Sequence, residues 1–296
     1  MTNQEKSAEI VRKNIHVFRC PLCHSPMKVN ALKSIICLNN HTFDFAKWGY
    51  INMMIRHSNG HYEKKLFEAR QKIITGGELY PLLHHKISGI IKMHSDVSNN
   101  QPVMLDLGCG EGSHLQKILD KCNDAITGIG LDISKEGIIL AAKKYKNSIW
   151  IVGDLVNTPF ADQSGHIILN ILSPANYMEF KRILAPAGIV VKVVPNANYL
   201  KELQDVLFMN NNKKNYDNDD TVSLFKQHFE LVEYSKLSYS KELNQTELLN
   251  LVQMSPLAWN ASKEKIDTFM NQSSSNITVD IDILVGVNRH PKGGLK

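Results

Sequence analysis

The sequence predicts an α/β protein: a doubly wound, mostly parallel sheet preceded by a small metal-binding module. Three observations predict it. Five short apolar runs rich in β-branched residues recur between helical stretches from Val103 onward. The first of these runs ends in a glycine-rich turn, Gly108-Cys109-Gly110-Glu111-Gly112. Three of the five cysteines, Cys20, Cys23 and Cys37, crowd near the N-terminus.

The elements follow in order. Residues 1–17 read as a flexible, solvated tail or at most a short helix. Residues 18–55 are dense in cysteine, aromatic and turn residues, as a compact module would be. Residues 56–98 are charged and helical in pattern, with Pro81 interrupting, and read as a helical linker. The polar stretch HSDVSNNQP (94–102) marks the boundary to a catalytic-size domain over residues 99–290. There the runs 103–107, 126–131, 149–153, 167–172 and 189–194 suit strands buried on both faces. Between them, Leu115, Ile118 and Leu119 share one helix face, as do Tyr177, Phe180 and Leu184. Strand–helix alternation at this spacing gives a parallel, doubly wound sheet. Residues 209–220, MNNNKKNYDNDD, read as a polar loop. Residues 229–239 and 277–287 add two late strands, and the second alternates apolar and polar residues like half of an exposed edge pair.

Composition bounds the reading. The chain has 296 residues, 43% of them hydrophobic, which is enough for a sizeable core and argues against disorder. The net charge of +5 is compatible with a phosphate-rich partner without requiring one. An odd, clustered set of five cysteines argues for a metal site in a reducing compartment and against a disulfide framework. The polar start MTNQEKSAEIVRKN lacks the apolar core of a signal peptide, and no apolar run reaches the roughly 18–20 residues that span a bilayer. A cytoplasmic protein with no membrane contact is expected.

Cys20-Pro-Leu-Cys23 is followed, after thirteen intervening residues, by Cys37 and then by His41 in a C-x3-H spacing. Zinc in structural sites takes four tetrahedral nitrogen and sulfur ligands, which two short chelating turns can supply. The competing reading of C-x-x-C as a redox pair lacks its strand–helix context here. His24 is a rival fourth ligand, but it adjoins Cys23 and is badly placed to reach the same ion. Cys109 and Cys122 read as small core residues.

The run Val103-Met104-Leu105-Asp106-Leu107-Gly108-Cys109-Gly110-Glu111-Gly112 places a glycine turn at the carboxyl end of a buried strand, where doubly wound sheets bind ligands. A dinucleotide fingerprint would carry its third glycine at position 113, which is Ser113. A dinucleotide would also rest its pyrophosphate on the helix N-terminus. S-adenosylmethionine has no phosphate, and its cationic end favours carboxylates, so Asp106 on the strand fits it better. Asp132 ends the next strand and can accept both ribose hydroxyls. Asp154 ends the third and can hold the adenine amino group. Each aspartate alone could equally be a turn former or helix cap. At the end of the fourth strand, Asn170-Ile171-Leu172-Ser173-Pro174-Ala175-Asn176 is either a plain strand-ending turn or a loop that orients the methyl acceptor. In the second reading Asn170, Ser173, Pro174 and Asn176 are the catalytic candidates. Methyl transfer needs in-line positioning and no protein nucleophile.

These residues together resemble the bacterial 23S rRNA (guanine-N1)-methyltransferases. CPLCHSPM, HTFDFAKWGYINMM (41–54), LDLGCGEG (105–112), LDISK (131–135) and MSPLAW (254–259) look like the family's pattern over almost the whole chain. NILSPANYMEFKRIL and KVVPNANYLKEL look like the Gram-positive subtype associated with resistance to tylosin-type macrolides. The resemblance implies a class I methyltransferase (Rossmann-like) fold with an appended zinc domain. It implies methylation at N1 of one guanine in a 23S rRNA hairpin loop, on free 23S rRNA or a ribosomal large-subunit particle, by a homodimer whose zinc domains form an RNA cleft. It puts zinc on Cys20, Cys23, Cys37 and His41, and cofactor contacts on Tyr80, Gly112, Ser113 and Tyr199. Position 113 is commonly aromatic in the family, position 199 commonly His, and position 170 commonly Asp in this subtype. RNA would find aromatics at Phe43, Phe45, Trp48 and Tyr50 and phosphate contacts at Lys28, Lys33, Lys47, Arg56, Lys64, Lys65, Arg70 and Lys72. Two other readings stay open: a methyltransferase acting on another RNA or a small molecule, and a non-catalytic RNA-binding assembly factor.

Overall fold

The computed structural model describes residues 1–55, 63–94, 102–122, 126–208 and 218–288. Its first segment departs in part from expectation. Of the two readings of residues 1–17 the helix holds and the solvated tail does not: they form helix α1 (Asn3–Lys13) and a 3-10 turn (Ile15–Val17) packed on the body. Thr2 and Glu5 close a reciprocal capping box at the start of α1. Ala8 and Val11 are fully buried, and Ser7 Oγ donates to the Gly49 carbonyl at 2.6 Å. The polar composition of this stretch hid a narrow apolar stripe that suffices to dock a helix.

Strands β1 (Met27–Asn30), β2 (Ser34–Cys37) and β3 (Thr42–Asp44) form an antiparallel meander. The chain then contributes the short strand β4 (Ile51–Asn52) to a second, larger sheet. The expected linker is no linker either. Helices α2 (Lys64–Gly76) and α3 (Pro81–His94) bury Phe67, Ile73, Ile74, Leu83, Ile87 and Ile91. Pro81 opens α3, where its missing N–H costs nothing. Most of the loops expected at 94–102 and 209–220 lie outside the described residues.

The main sheet follows from β5 (Val103–Leu107), α4 (Ser113–Lys121), β6 (Thr127–Asp132), α5 (Lys135–Lys144), β7 (Ile149–Val152), β8 (Gly165–Ile171), α6 (Tyr177–Ile183), β9 (Leu184–Pro195), α7 (Lys201–Leu207), α8 (Asp219–His228), β10 (Glu230–Asn244), α9 (Gln245–Met254), α10 (Lys263–Met270) and β11 (Ser274–Val287). Its eight strands run in the order β10-β11-β9-β8-β5-β6-β7-β4. The five predicted runs are β5 to β9, mutually parallel, while β11 pairs antiparallel with β9 and β10. The chain leaves β5 for β6 and β7 and returns to β8 on the other side. The crevice beyond the carboxyl ends of β5 and β8 is therefore the topological switch point.

Alternate strand residues serve two cores. Met104 joins a cluster with residues of α2, α3, α4, α5, α7 and α9. Val103, Leu105 and Leu107 join a second cluster with α6 and α8, and with Ala8, Val11, Phe18, Cys20, Ile35, Cys37 and Phe45 of the N-terminal module. The crossover from β7 to β8 carries no helix, and the module docks there instead. Arg19 N donates to the Pro159 carbonyl at 3.0 Å, Asn157 Nδ2 donates to the Pro21 carbonyl at 2.8 Å, and the Phe18 and Phe160 rings lie 6.1 Å apart. A parallel sheet needs both faces covered, and the metal-binding module covers part of one.

The late strand pair also corrects a reading. β11 is interior, flanked by β10 and β9, and the edge strand is β10. Two of the polar residues that gave β11 its alternation, Asp280 and Asp282, are buried, and Asp282 accepts from Tyr234 Oη at 2.6 Å, Asn196 Nδ2 at 2.7 Å and Asn218 Nδ2 at 3.0 Å. A buried carboxylate with three donors mimics the alternation of a wet face.

Candidate cofactor cleft and metal centre

Cys20, Cys23, Cys37 and His41 converge so that their ligand atoms all lie within 4.8 Å of one another. Cys20 Sγ is 3.4 Å from His41 Nδ1, Cys37 Sγ is 3.5 Å from it, and Cys23 Sγ is 3.6 Å from Cys37 Sγ. A tetrahedron with Zn–S near 2.3 Å and Zn–N near 2.0 Å has edges of roughly 3.5–3.8 Å, so the donor set fits zinc. Two tight turns make the site. The His24 amide donates to the Cys20 carbonyl at 2.8 Å, and the Asn40 amide to the Cys37 carbonyl at 3.0 Å. His24 and Asn40 adopt left-handed φ of 60° and 63° to allow this. His24 itself is exposed and outside the cluster, so the rival ligand falls away.

The glycine turn takes left-handed φ at Gly108 (87°), Gly110 (59°) and Gly112 (76°). A Cβ on Gly108 would lie 1.9 Å from Ser173 Oγ. The glycine loop and the loop after β8 therefore pack directly against each other at the switch point. Asp132 Oδ2 accepts from Gly110 N at 2.7 Å and Oδ1 from Ser134 N at 2.8 Å, so this aspartate holds the loop in shape. Asp106 is 2% exposed, its Oδ2 has no hydrogen-bond partner, and burial, eased by Arg70, pushes its carboxyl up to about 7. Tyr80 and Tyr199 share a 2.6 Å hydroxyl hydrogen bond, and burial raises both phenols, Tyr199 to about 12. Ser113 is fully buried with Oγ 2.8 Å from Tyr145 Oη, and its backbone N–H donates to Glu111 Oε1 at 3.4 Å. Asp154 Oδ1 accepts from Val156 N at 2.9 Å, the behaviour of a turn former, at the end of β7.

On the loop after β8 the structure separates the catalytic candidates. Asn170 is fully buried. Its Nδ2 donates to the carbonyls of Leu107 at 2.6 Å and Pro174 at 2.9 Å, and its Oδ1 accepts from Lys192 Nζ. With every polar end taken, Asn170 cannot read a base edge; it ties β5 to the loop. Asn176 caps α6 by accepting from Glu179 N at 3.3 Å. Ser173 is half-buried against Gly108, and Pro174 is exposed. Lys192, which the sequence did not single out, is buried, and burial lowers its ammonium to about 8. Its Nζ also donates to the Ser173 carbonyl at 2.5 Å, pinning the loop from below.

Comparison with known proteins decides the family. A relative from Bacillus subtilis (strain 168), named "Putative 23S rRNA (guanine-N(1)-)-methyltransferase YxjB", is 38% identical over 274 residues, spanning 92% of this chain and 97% of the relative. The chain belongs to the 23S rRNA (guanine-N1)-methyltransferase family. A Streptomyces fradiae member named 23S rRNA (guanine(748)-N(1))-methyltransferase is 29% identical and covers 86% of this chain and 91% of its own length. The zinc-ribbon family model described as "RlmA, N-terminal" matches residues 18–57, and the model "Methyltransferase domain" matches residues 104–192. The class I methyltransferase fold and N-terminal zinc ribbon expected from the sequence are thus both present. The cofactors that go with these modules are S-adenosylmethionine and zinc. A demethylmenaquinone methyltransferase of Chlorobaculum parvum is also similar, at 30% identity, but over only 37% of this chain.

In this family member the expected phosphate surface is partly redistributed. Arg70 faces the glycine turn, 3.2 Å from Glu111, Lys64 pairs with Glu68, and Arg56 lies outside the described residues. Of the module's aromatics, Phe45 and Tyr50 are core, whereas Phe43 and Trp48 are only partly buried. Around Trp48 three ammonium groups converge: Lys47, Lys143 and Lys146 Nζ lie 5.4, 5.0 and 5.5 Å from the ring centroid. Elsewhere on the surface Lys64, Lys86 and Lys241 are paired with Glu68, Glu233 and Glu78. This patch joins the module to the end of α5, at the amino-terminal end of the parallel strands, away from the cleft. No helix among the described residues is long and apolar enough to cross a membrane.

Proposed function

We propose that the chain transfers a methyl group from S-adenosylmethionine to N1 of a guanine in a hairpin loop of 23S rRNA. The observation that carries this reading is the full-length similarity to named guanine-N1 methyltransferases, spanning ribbon and catalytic domain together. A relative matched over little more than a third of the chain favours no small-molecule substrate. An intact cleft argues against a pure binding role. Gly108, Gly110 and Gly112 open the loop to close approach, while Asp106 carries a buried carboxylate oxygen without a hydrogen-bond partner. Such an oxygen suits a cationic ligand. S-adenosylmethionine supplies an electrophilic methyl on a sulfonium.

The protein's own contribution is position. Lys192 and Asn170 fix the carbonyls of Ser173 and Pro174 at the rim of the switch-point crevice. We assign base orientation to that rim, through its backbone and the half-buried Ser173, and not to the Asn170 side chain. N1 lies on the Watson–Crick edge, so the guanine must be unpaired or flipped to react. The ribbon and the Trp48 lysines supply the surface for RNA further from the base. A homodimer belongs to the same reading.

Methyl transfer from labelled S-adenosylmethionine to unmodified 23S rRNA and to large-subunit particles, mapped by primer extension, tests the proposal. A stop at one loop guanine is expected, because N1-methylguanine cannot pair. No transfer to either substrate would end it. In the same assay Lys143→Glu with Lys146→Glu should raise KM for RNA roughly tenfold and flatten its salt dependence by about two charges. An unchanged salt slope would remove this patch from the RNA surface.

A further inference from the structure

The cleft presents a charge pattern that the glycine and aspartate motifs do not explain. Three carboxylates, Asp106, Glu111 and Asp132, surround the glycine turn, and Arg70 is the cation that faces all three. Helix α2 delivers it. Arg70 Nε lies 3.2 Å from Glu111 Oε2, which orients the guanidinium. Its Nη1 and Cζ would lie 3.2 and 3.4 Å from a Cβ on Gly110, so the fork end rests on the bare face of the turn. Glu111 is fully enclosed, whereas the Arg70 side chain keeps 23% of its surface exposed. A guanidinium has five N–H donors in a fork that matches a carboxylate. Pairing with Glu111 through Nε leaves the Nη groups for another acceptor.

S-adenosylmethionine carries two cationic groups, sulfonium and ammonium, and one carboxylate. Its cationic groups have three protein carboxylates to meet, and Asp106 Oδ2 is buried and unpartnered. Its one anionic group would be repelled by the same three unless a cation receives it at the glycine turn. Resting on the cofactor reading above, we propose that Arg70 binds the carboxylate of the cofactor's amino-acid tail. Arg70 then orients the amino-acid tail at the glycine turn and discriminates against adenosyl ligands that lack the carboxylate.

Calorimetric titration of three ligands tests this without turnover: S-adenosylhomocysteine, decarboxylated S-adenosylmethionine and 5′-methylthioadenosine. Arg70→Met should weaken S-adenosylhomocysteine by roughly 10- to 100-fold, the worth of a charge-assisted pair. The two ligands without a carboxylate should change by less than about threefold. Should Arg70→Met fail to fold around an unpaired Glu111, the double variant Arg70→Met/Glu111→Gln removes both charges, and Glu111→Gln alone is its control with Arg70 in place. Equal weakening of all three ligands would make Arg70 merely structural and overturn the proposal, as would no weakening of S-adenosylhomocysteine. Failure of the wild-type protein to bind any of the three would instead overturn the cofactor reading.

Discussion

Cys37→Ser is expected to strip zinc from the chain and to destabilise more than the ribbon. Serine does not replace a thiolate toward zinc, and the remaining three ligands cannot close a structural tetrahedron. A module with a core of its own would confine the damage to itself. The structure predicts otherwise. Cys20, Met27, Ile35, Cys37 and Phe45 belong to the same buried cluster as Val103, Leu105, Ile129 and Ile151 of the main sheet. Ribbon and sheet should therefore melt as one unit. Metal binding supplies much of the folding free energy of small zinc modules, so a fall in Tm on the order of 10 °C is expected. Elemental analysis and a thermal melt check it. One zinc per variant chain, or an unchanged melt of the catalytic domain, would refute the expectation.

Gly112→Ala is expected to cost about 3–5 kcal/mol of stability. Its φ of 76° is the left-handed region, which costs a non-glycine residue about 1–2 kcal/mol by itself. The new methyl would then lie 2.3 Å from Trp150 Cη2, 2.6 Å from its Cζ3 and 3.1 Å from Ala141 Cβ. Trp150 cannot retreat: it is 2% exposed, and its Nε1 donates to the Tyr145 carbonyl at 2.8 Å. Tyr145 in turn bonds Ser113, so the disturbance reaches the first turn of α4 and the cofactor loop. Urea denaturation should show the lost stability, and titration with S-adenosylhomocysteine the lost affinity. A midpoint equal to wild type would show that the turn does not hold Gly112 in the left-handed region.

Both variants lie on motifs that the sequence exposes. The chemistry of four residues at short spacing is local, so Cys20, Cys23, Cys37 and His41 were legible without a structure, and convergence removed His24. The glycine turn was equally legible, because a strand, three glycines and a helix occupy one continuous stretch. The acceptor loop was not. Asn170 and Asn176 carry the right groups for a base edge, but partners from β5, β9 and the loop itself take both ends of Asn170, and the Asn176 oxygen caps α6. Lys192 escaped notice because a lysine inside an apolar strand has no local signature. Arg70 was read as a surface charge, since helix periodicity does not say what lies across the helix.

The strand–helix alternation, the Cys3His set and the glycine turn are readable along the chain, because each depends on neighbours a few residues apart. Long-range packing makes the first helix, the ribbon and the supposed linker one body with the sheet. The same packing puts β11 inside the sheet and leaves few polar side chains open to a ligand. Burial and hydrogen-bond satisfaction are set by residues distant in the chain, and no spacing within one segment records them.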